Sequence, residues 1–225
     1  MTILIAAGLF FIGIHICISS TPLRGWLIQR IGVRPYQGVF SLLSLAGIIW
    51  LIWSYMMAER LELGQPHSAL IFIAVLASMA GLWLAILGVL SPNPTAVAQE
   101  ALLQSEMPVR GIVRVTRHPF MVGLALWALA HMVLNPDTAS WVFFGTFFVL
   151  AGIGPRLIDA KMAKAYASQW PVFARVTSIT PFAAIARGRN QFVSNEIGWW
   201  RPLAALLVVA LLIYFHGSLF GATLL

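Results

Sequence analysis

Six apolar runs, most of them long enough to cross a lipid bilayer, constrain this chain more than any other feature. A membrane-spanning helix needs about 20 predominantly apolar residues. The fourth and fifth runs are short, and an Asn-Pro-Asp turn joins them, which predicts a tight antiparallel hairpin. The sequence therefore predicts an all-α, polytopic transmembrane helix bundle of about six spans. The runs occupy residues 3–19, 37–57, 69–90, 120–134, 139–154 and 202–220.

Composition agrees with lipid as the solvent of this chain. Only 9% of its 225 residues are charged and the mean hydropathy is +0.88, whereas soluble domains carry about one-quarter charged residues. No Gly/Ser-rich linker divides the runs, so residues 1–225 are predicted to form a single integral membrane domain. The single cysteine, Cys17, excludes an intramolecular disulfide.

Positive charges fall on alternate connections between the runs. Because Lys and Arg concentrate on the cytoplasmic side of a membrane, this pattern predicts that both termini lie outside the cytoplasm. It also accounts for the net charge of +7 without a nucleic acid as partner. Only Arg60 lies on the opposite side. The other thirteen are Arg24, Arg30, Arg34, Arg110, Arg114, Arg117, Arg156, Lys161, Lys164, Arg175, Arg187, Arg189 and Arg201.

The long fifth connection contains an amphipathic stretch at residues 156–170. Its apolar residues recur every four positions with charged residues between them, which predicts a helix lying in the cytoplasmic interface. Pro171 is expected to end or kink it. The recurring residues are Ile158, Met162, Tyr166 and Trp170.

Histidines are the residues most able to carry chemistry in these spans, because ionisable side chains inside a membrane are costly and tend to mark functional sites. His67 is expected to be a solvated loop residue, and His216 to lie near the outer interface. His15 shares a helix face with Gly8 and Phe11, so it is expected to face the bundle. A hydrogen bond to a neighbouring helix is the alternative to a ligand role there.

The fourth run opens with Arg117-His118-Pro119, which places His118 near the cytoplasmic surface. Gly123, Trp127 and His131 follow at four-residue spacing and predict room for a flat ligand on one helix face. Ordinary packing is the alternative for this stripe.

Two bundle-facing imidazoles on different helices can supply both axial ligands of a haem, shielded by Phe11 and Trp127, with arginines for its propionates. Zinc is less favoured, because the spans offer almost no carboxylate or thiol to complete its ligand set. The sequence holds no nucleophile triad, phosphate-binding Gly-rich loop or acidic pair suited to hydrolysis.

Three stretches carry a family resemblance across nearly the whole chain. By them the chain resembles the NnrU family, which includes the 15-cis-zeta-carotene isomerases of plants and cyanobacteria. The stretches are residues 11–15 (Phe-Ile-Gly-Ile-His) with Ser19; residues 114–119 (Arg-Val-Thr-Arg-His-Pro) running on through 121–123, 126–127 and 130–131; and residues 177–185 with 188–189.

The resemblance implies a multi-pass protein of the bacterial inner membrane that binds haem b through His15 and His131. It implies either cis-trans isomerisation of an apolar polyene or a non-enzymatic haem or nitric oxide handling role in denitrification. His118 and Arg117 would line the site, and Arg187 or Arg189 would hold the propionates. His118 remains a competing ligand, because His131 lies about 20 Å further along its helix and His15 lies near the cytoplasmic end of its own.

A second resemblance is to membrane methyltransferases of the isoprenylcysteine and phospholipid type. It rests on residues 117–119 with Gly123 and on the Pro181-Phe182 pair, and it implies S-adenosylmethionine as the cofactor. Those enzymes carry adjacent acids where this chain has Asp159-Ala160-Lys161, which counts against that cofactor.

Overall fold

The computed structural model describes residues 1–221, and within them the protein is helical, with an isolated β-bridge between Glu62 and Asp137. A π-helical turn, Ile14–Ile18, follows the first helix, and short 3₁₀ helices lie at Glu100–Gln104 and Ser194–Glu196. The α-helices are α1 (Thr2–Gly13), α2 (Pro22–Ile31), α3 (Val33–Met57), α4 (Ser68–Leu90), α5 (Ile112–Val115), α6 (Pro119–Leu134), α7 (Thr138–Ala165), α8 (Trp170–Val176), α9 (Ala183–Ala186), α10 (Trp200–Tyr214) and α11 (His216–Phe220).

Three helices of the described residues, α3, α4 and α7, are long and apolar enough to cross a membrane. Residues 2–31 form a fourth candidate if the two segments, which meet at a bend of 75°, count as one broken span. α6 and α10 are apolar but shorter. Large apolar side chains on α3 and α4 are exposed, including Leu42, Met56 and Phe72, as expected for helices solvated by lipid. The protein is therefore an all-helical membrane protein.

The first connection between the apolar runs, for which no element was predicted from the sequence, contains helix α2. Thr21 caps this helix and Pro22 occupies its first turn, where a missing N–H costs no hydrogen bond. The fifth run is not short: α7 continues through Pro155 for 28 residues. Most of the predicted interfacial helix at residues 156–170 is thus the end of α7. Pro171 lies in the first turn of α8 instead of ending a helix.

The chain divides into two compact units, Met1–Ser78 with Ala128–Lys161 and Met79–Trp127 with Met162–Leu225. The core of the first unit joins α1, α3 and α7 through Leu4, Leu51 and Ala139. α1 and α7 run in the same direction, since Leu4 clusters with Ala139 and Phe11 contacts Phe147 further along both helices.

The second unit has its own apolar core of Leu87, Ile112, Val115 and Ala205. In this unit α4 and α6 approach so closely that a Cβ added at Gly123 would lie 2.5 Å from the backbone nitrogen of Ala85. Side chains larger than hydrogen at Gly123 would therefore force the two helices apart.

Candidate functional site

His15 lies in the π-helical turn that follows α1. Its Nδ1 is 2.7 Å from the carbonyl oxygen of Phe11, and the hydroxyl of Ser19 donates to the carbonyl of His15. Single π-turns interrupt α-helices frequently at functional sites, because the extra residue changes the direction in which a side chain points. These contacts with the π-turn and the preceding helix hold the His15 imidazole in one orientation within the first unit.

The Phe11 carbonyl determines the tautomer of His15. A carbonyl oxygen can only accept, so Nδ1 carries a proton, and in the neutral imidazole the lone pair is then on Nε2. This is the neutral form that ligates metals, and a backbone carbonyl is a common partner of the other ring nitrogen. The imidazole is half-buried, and its ring centroid lies 4.5 Å from that of Phe11 and 5.4 Å from that of Phe40.

His131, near the end of α6, lies in the same unit. Its Nδ1 is 3.4 Å from the hydroxyl of Ser78, and its ring centroid is 4.7 Å from that of Phe144. It too is half-buried. Each imidazole therefore has a polar partner on Nδ1 and an aromatic face beside it.

Four phenylalanine rings, which we call the aromatic series, connect the two histidines. The ring centroids of neighbouring members are 5.9 Å apart for Phe11 and Phe147, 5.3 Å for Phe147 and Phe143, and 5.1 Å for Phe143 and Phe144. Phe144 contacts His131, whereas His15 lies one turn beyond Phe11. The two imidazoles thus lie at levels that differ by roughly 10 Å along the helix axes.

These features bear on whether the residues fit a haem. The donor type, the tautomer of His15 and the apolar aromatic lining fit a haem ligand at each imidazole. Both imidazoles would have to bond to the same iron atom, so a difference in level of roughly 10 Å does not fit simultaneous coordination unless the two side chains approach each other more closely. Within residues 1–221 no group of three or more His, Cys, Asp and Glu side chains could hold a metal ion.

The remaining predicted site residues belong to the second unit. His118 is 2% exposed at the start of α6. Arg187 is exposed, whereas Arg189 donates to the carbonyl of Arg175. The room predicted beside Gly123 on α6 is filled by the backbone of α4, because the two helices are in direct contact there. Trp127 follows one turn later.

The two polar motifs around residues 114–119 and 177–182 bind each other within the second unit. The Arg117 N–H donates to the carbonyl of Ser178 at 2.9 Å, and the Thr116 hydroxyl to that of Ile179 at 2.7 Å. The Phe182 N–H donates to the carbonyl of Val115 at 2.9 Å. These stretches therefore form one hydrogen-bonded junction that fixes the backbone leading into His118.

An ion pair closes the same junction from another side. Arg114 Nε lies 2.6 Å from Glu196 Oε2, and Nη2 lies 2.8 Å from Oε1, so the pair is bidentate. The hydrogen bonds from Arg114 hold the pKa of Glu196 below its ordinary value, helped by the N–H of Gly111. The same pair raises the pKa of Arg114.

Sequence reasoning missed the aromatic residues of α7 and the partner of His131. Phe143, Phe144 and Phe147 have the spacing of one helix face, which was the available signal. Ser78, which faces His131, has no sequence signal, because its contact joins residues 53 positions apart.

Comparison with known proteins gives the family. The 15-cis-zeta-carotene isomerase of Arabidopsis thaliana, a chloroplastic protein, is 33% identical over 116 residues, which cover 50% of this chain and 32% of that protein. The Zea mays isomerase is 32% identical over 115 residues, 50% of this chain and 31% of its own length. The chain thus aligns with about a third of each curated relative. No solved structure matches it. The model of the NnrU protein family matches residues 3–224, and the chain therefore belongs to the NnrU family.

Proposed function

We propose that this protein binds haem b in a membrane and isomerises a double bond of an apolar polyene. The observation that carries the proposal is His15, held by the Phe11 carbonyl in the tautomer that leaves Nε2 able to ligate iron. The likeness to two 15-cis-zeta-carotene isomerases supports the choice of reaction and substrate class.

In this proposal His15 and His131 would hold the haem iron. Both lie in the first unit, each with Nδ1 beside a polar partner and with a phenyl ring against its face. Arg187 or Arg189 remains the proposed partner of the propionates, with Arg117 as a lining residue and His118 as the competing ligand.

The chain's own residues suit a reaction that transfers no net proton or electron. When bound, haem would supply an iron centre that can hold an alkene transiently and lower the barrier to rotation about it. The aromatic series offers flat, apolar surfaces that exclude water and contact a polyene without hydrogen bonds. Isomerisation releases nothing and moves no net proton, so it needs no acid–base pair beside the site.

Spectroscopy of the purified protein tests the haem. We expect a Soret band that is lost in both His15→Ala and His131→Ala, and retained in His67→Ala, whose imidazole is exposed. Imidazole added to His15→Gly should restore the band if the variant is folded. Loss of the band in His118→Ala with retention in His131→Ala would replace the proposed pair by the competing one.

Pigment analysis separates isomerisation from the two other functions. Co-expression with a poly-cis carotene should change the ratio of its isomers, and His15→Ala should abolish the change. A red protein without this effect, whose deletion lowers nitrite or nitric oxide reduction, would indicate a denitrification factor. A colourless protein that binds S-adenosylmethionine would indicate a methyltransferase.

For the membrane arrangement we propose six spans in the bacterial inner membrane, both termini outside the cytoplasm and the end of α7 at the cytoplasmic interface. The distribution of Lys and Arg supports it. In a Cys17→Ser background, an impermeant maleimide should label Gln65→Cys in intact cells. It should label Ser105→Cys only after permeabilisation. The opposite result would invert the topology.

A further inference from the structure

A polar cavity of about 80 Å³ lies in the second unit, and none of its lining residues is proposed to hold haem. Helix ends and loops of that unit form it, just after α4 and around the starts of α5 and α10. Its lining includes Ser91, Arg110, Gly111, Glu196, Ile197 and Arg201. A cavity of this size holds a small group, such as one tetrahedral oxyanion or a few waters.

The hydroxyl of Ser91 is the first sign that the cavity takes a ligand. Ser91 is 5% exposed, and its Oγ has no hydrogen-bond partner among the described residues. Buried hydroxyls are almost always hydrogen-bonded, because leaving one unpaired is destabilising. This group therefore calls for a partner that the polypeptide does not supply.

The charge of the cavity indicates the sign of that partner. Glu196 is paired through both carboxylate oxygens with Arg114, so its charge is compensated. Arg110 and Arg201 remain as an excess of positive charge at the lining. Arg201 is held in place by its own donations to the carbonyls of Leu90 and Ile197. A preoriented guanidinium of this kind suits an oxyanion.

A second cavity adjoins the first through Ile197. It is a more open groove, and Trp199 and Pro202 are among its lining residues. Trp199 is 78% exposed, and tryptophan is enriched where membrane proteins meet the lipid headgroups. The polar cavity thus lies beside a surface suited to the interface of a bilayer.

We propose that the cavity between Ser91, Arg110 and Arg201 binds a phosphate group, carried by an anionic phospholipid or present as free phosphate. The phosphate oxygens accept hydrogen bonds from the two guanidinium groups and from the Ser91 hydroxyl, which satisfies the orphaned donor. The site is independent of the haem proposal, because none of its residues takes part in that one.

Binding is measured on the full-length protein in two arms. In detergent, inorganic phosphate replaces chloride at constant ionic strength, and the melting temperature and calorimetric affinity are recorded. In nanodiscs, phosphatidylcholine with and without phosphatidylglycerol is compared. We expect stabilisation by at least one of the two ligands; phosphatidylglycerol alone identifies a lipid site, and phosphate alone a soluble anion.

Variants locate the binding. Arg110→Gln should weaken it about tenfold, because one charge-assisted contact is lost, whereas Arg175→Gln, an exposed arginine outside the cavity, should not change it. Ser91→Ala should raise the melting temperature without ligand and reduce the rise on ligand binding. Equal stabilisation by phosphate and chloride and by both lipid mixtures would overturn the proposal. Equal weakening by Arg110→Gln and Arg175→Gln would also overturn it.

Discussion

The hydrogen bonding of the His15 imidazole depends on a local contact, with a carbonyl one turn earlier in the chain. The imidazole has its tautomer set by the carbonyl of Phe11, four residues earlier. Residue type and helical spacing were enough to predict that His15 and His131 face other helices. The hydrogen-bond partners of the two imidazoles could not be predicted, since they depend on a π-turn in one case and on Ser78 in the other.

Asp137 is a second residue whose role is local. Its Oδ1 accepts from the N–H of Ser140 at 2.9 Å, and its Oδ2 from the Ser140 hydroxyl at 2.6 Å, which caps the start of α7. We expect Asp137→Ala to cost about 1 kcal/mol of stability through the lost cap. Melting of the detergent-solubilised protein checks this. The exposed Glu106→Ala is the control, and an equal loss in both variants would contradict the cap.

At the scale of elements, glycines allow α4 and α6 to pack closely against each other. Helix α7 is longer than the apolar run predicted for it. The length and hydropathy of α4 were evident from the sequence, and its bounds were predicted within one residue. The extension of α7 through Pro155 was not, because proline usually ends a helix in water. Neighbouring helices in a membrane can satisfy the freed carbonyl, so the helix continues.

The close approach of α4 and α6 gives a prediction at this scale. Gly123→Ala should destabilise the protein by about 1–3 kcal/mol, because the added methyl meets the backbone of Ala85. Gly145→Ala is the matched control: it is also inside a helix, and nothing lies within 4 Å of its added Cβ. It should stabilise by about 0.5–1 kcal/mol. The melting temperature should fall in Gly123→Ala and rise in Gly145→Ala. An unchanged melting temperature in Gly123→Ala would contradict the close packing of α4 and α6.

At the scale of the whole molecule, the exposed apolar helices require a lipid environment, and the polar junction holds together loops that are distant in sequence. The family motifs at residues 114–119 and 177–182 are far apart in sequence yet hydrogen-bond to each other. Their role is therefore architectural: they hold one end of the second unit together.

The Arg114–Glu196 pair makes this end of the second unit sensitive to acid. Since the folded pKa of Glu196 lies below the ordinary value of about 4.3, the unfolded chain binds its proton first as pH falls. The pair's contribution, about 1–2 kcal/mol for side chains that are 19% exposed, is complete above the unfolded pKa. It is lost as pH falls through the folded one.

Melting curves from about pH 3 to pH 7 measure this effect. Wild-type stability should drop below about pH 4.3, and Glu196→Gln should lower stability at neutral pH and flatten the drop. Glu106→Gln is the control and should follow the wild type. Parallel acid profiles for wild type and Glu196→Gln would show that the pair does not carry the dependence.

The sequence by itself determined that this is a helical membrane protein, located the bounds of α4 and α6 within one residue, and predicted that His15 and His131 contact other helices. It could do so because the hydropathy of a run and the cost of a buried imidazole are local properties. Only the tertiary structure decided that α4 fills the space beside Gly123, that phenyl rings connect His15 with His131, and that Ser91 and two arginines line one cavity. Those facts are contacts between distant parts of the chain, and no local pattern encodes them.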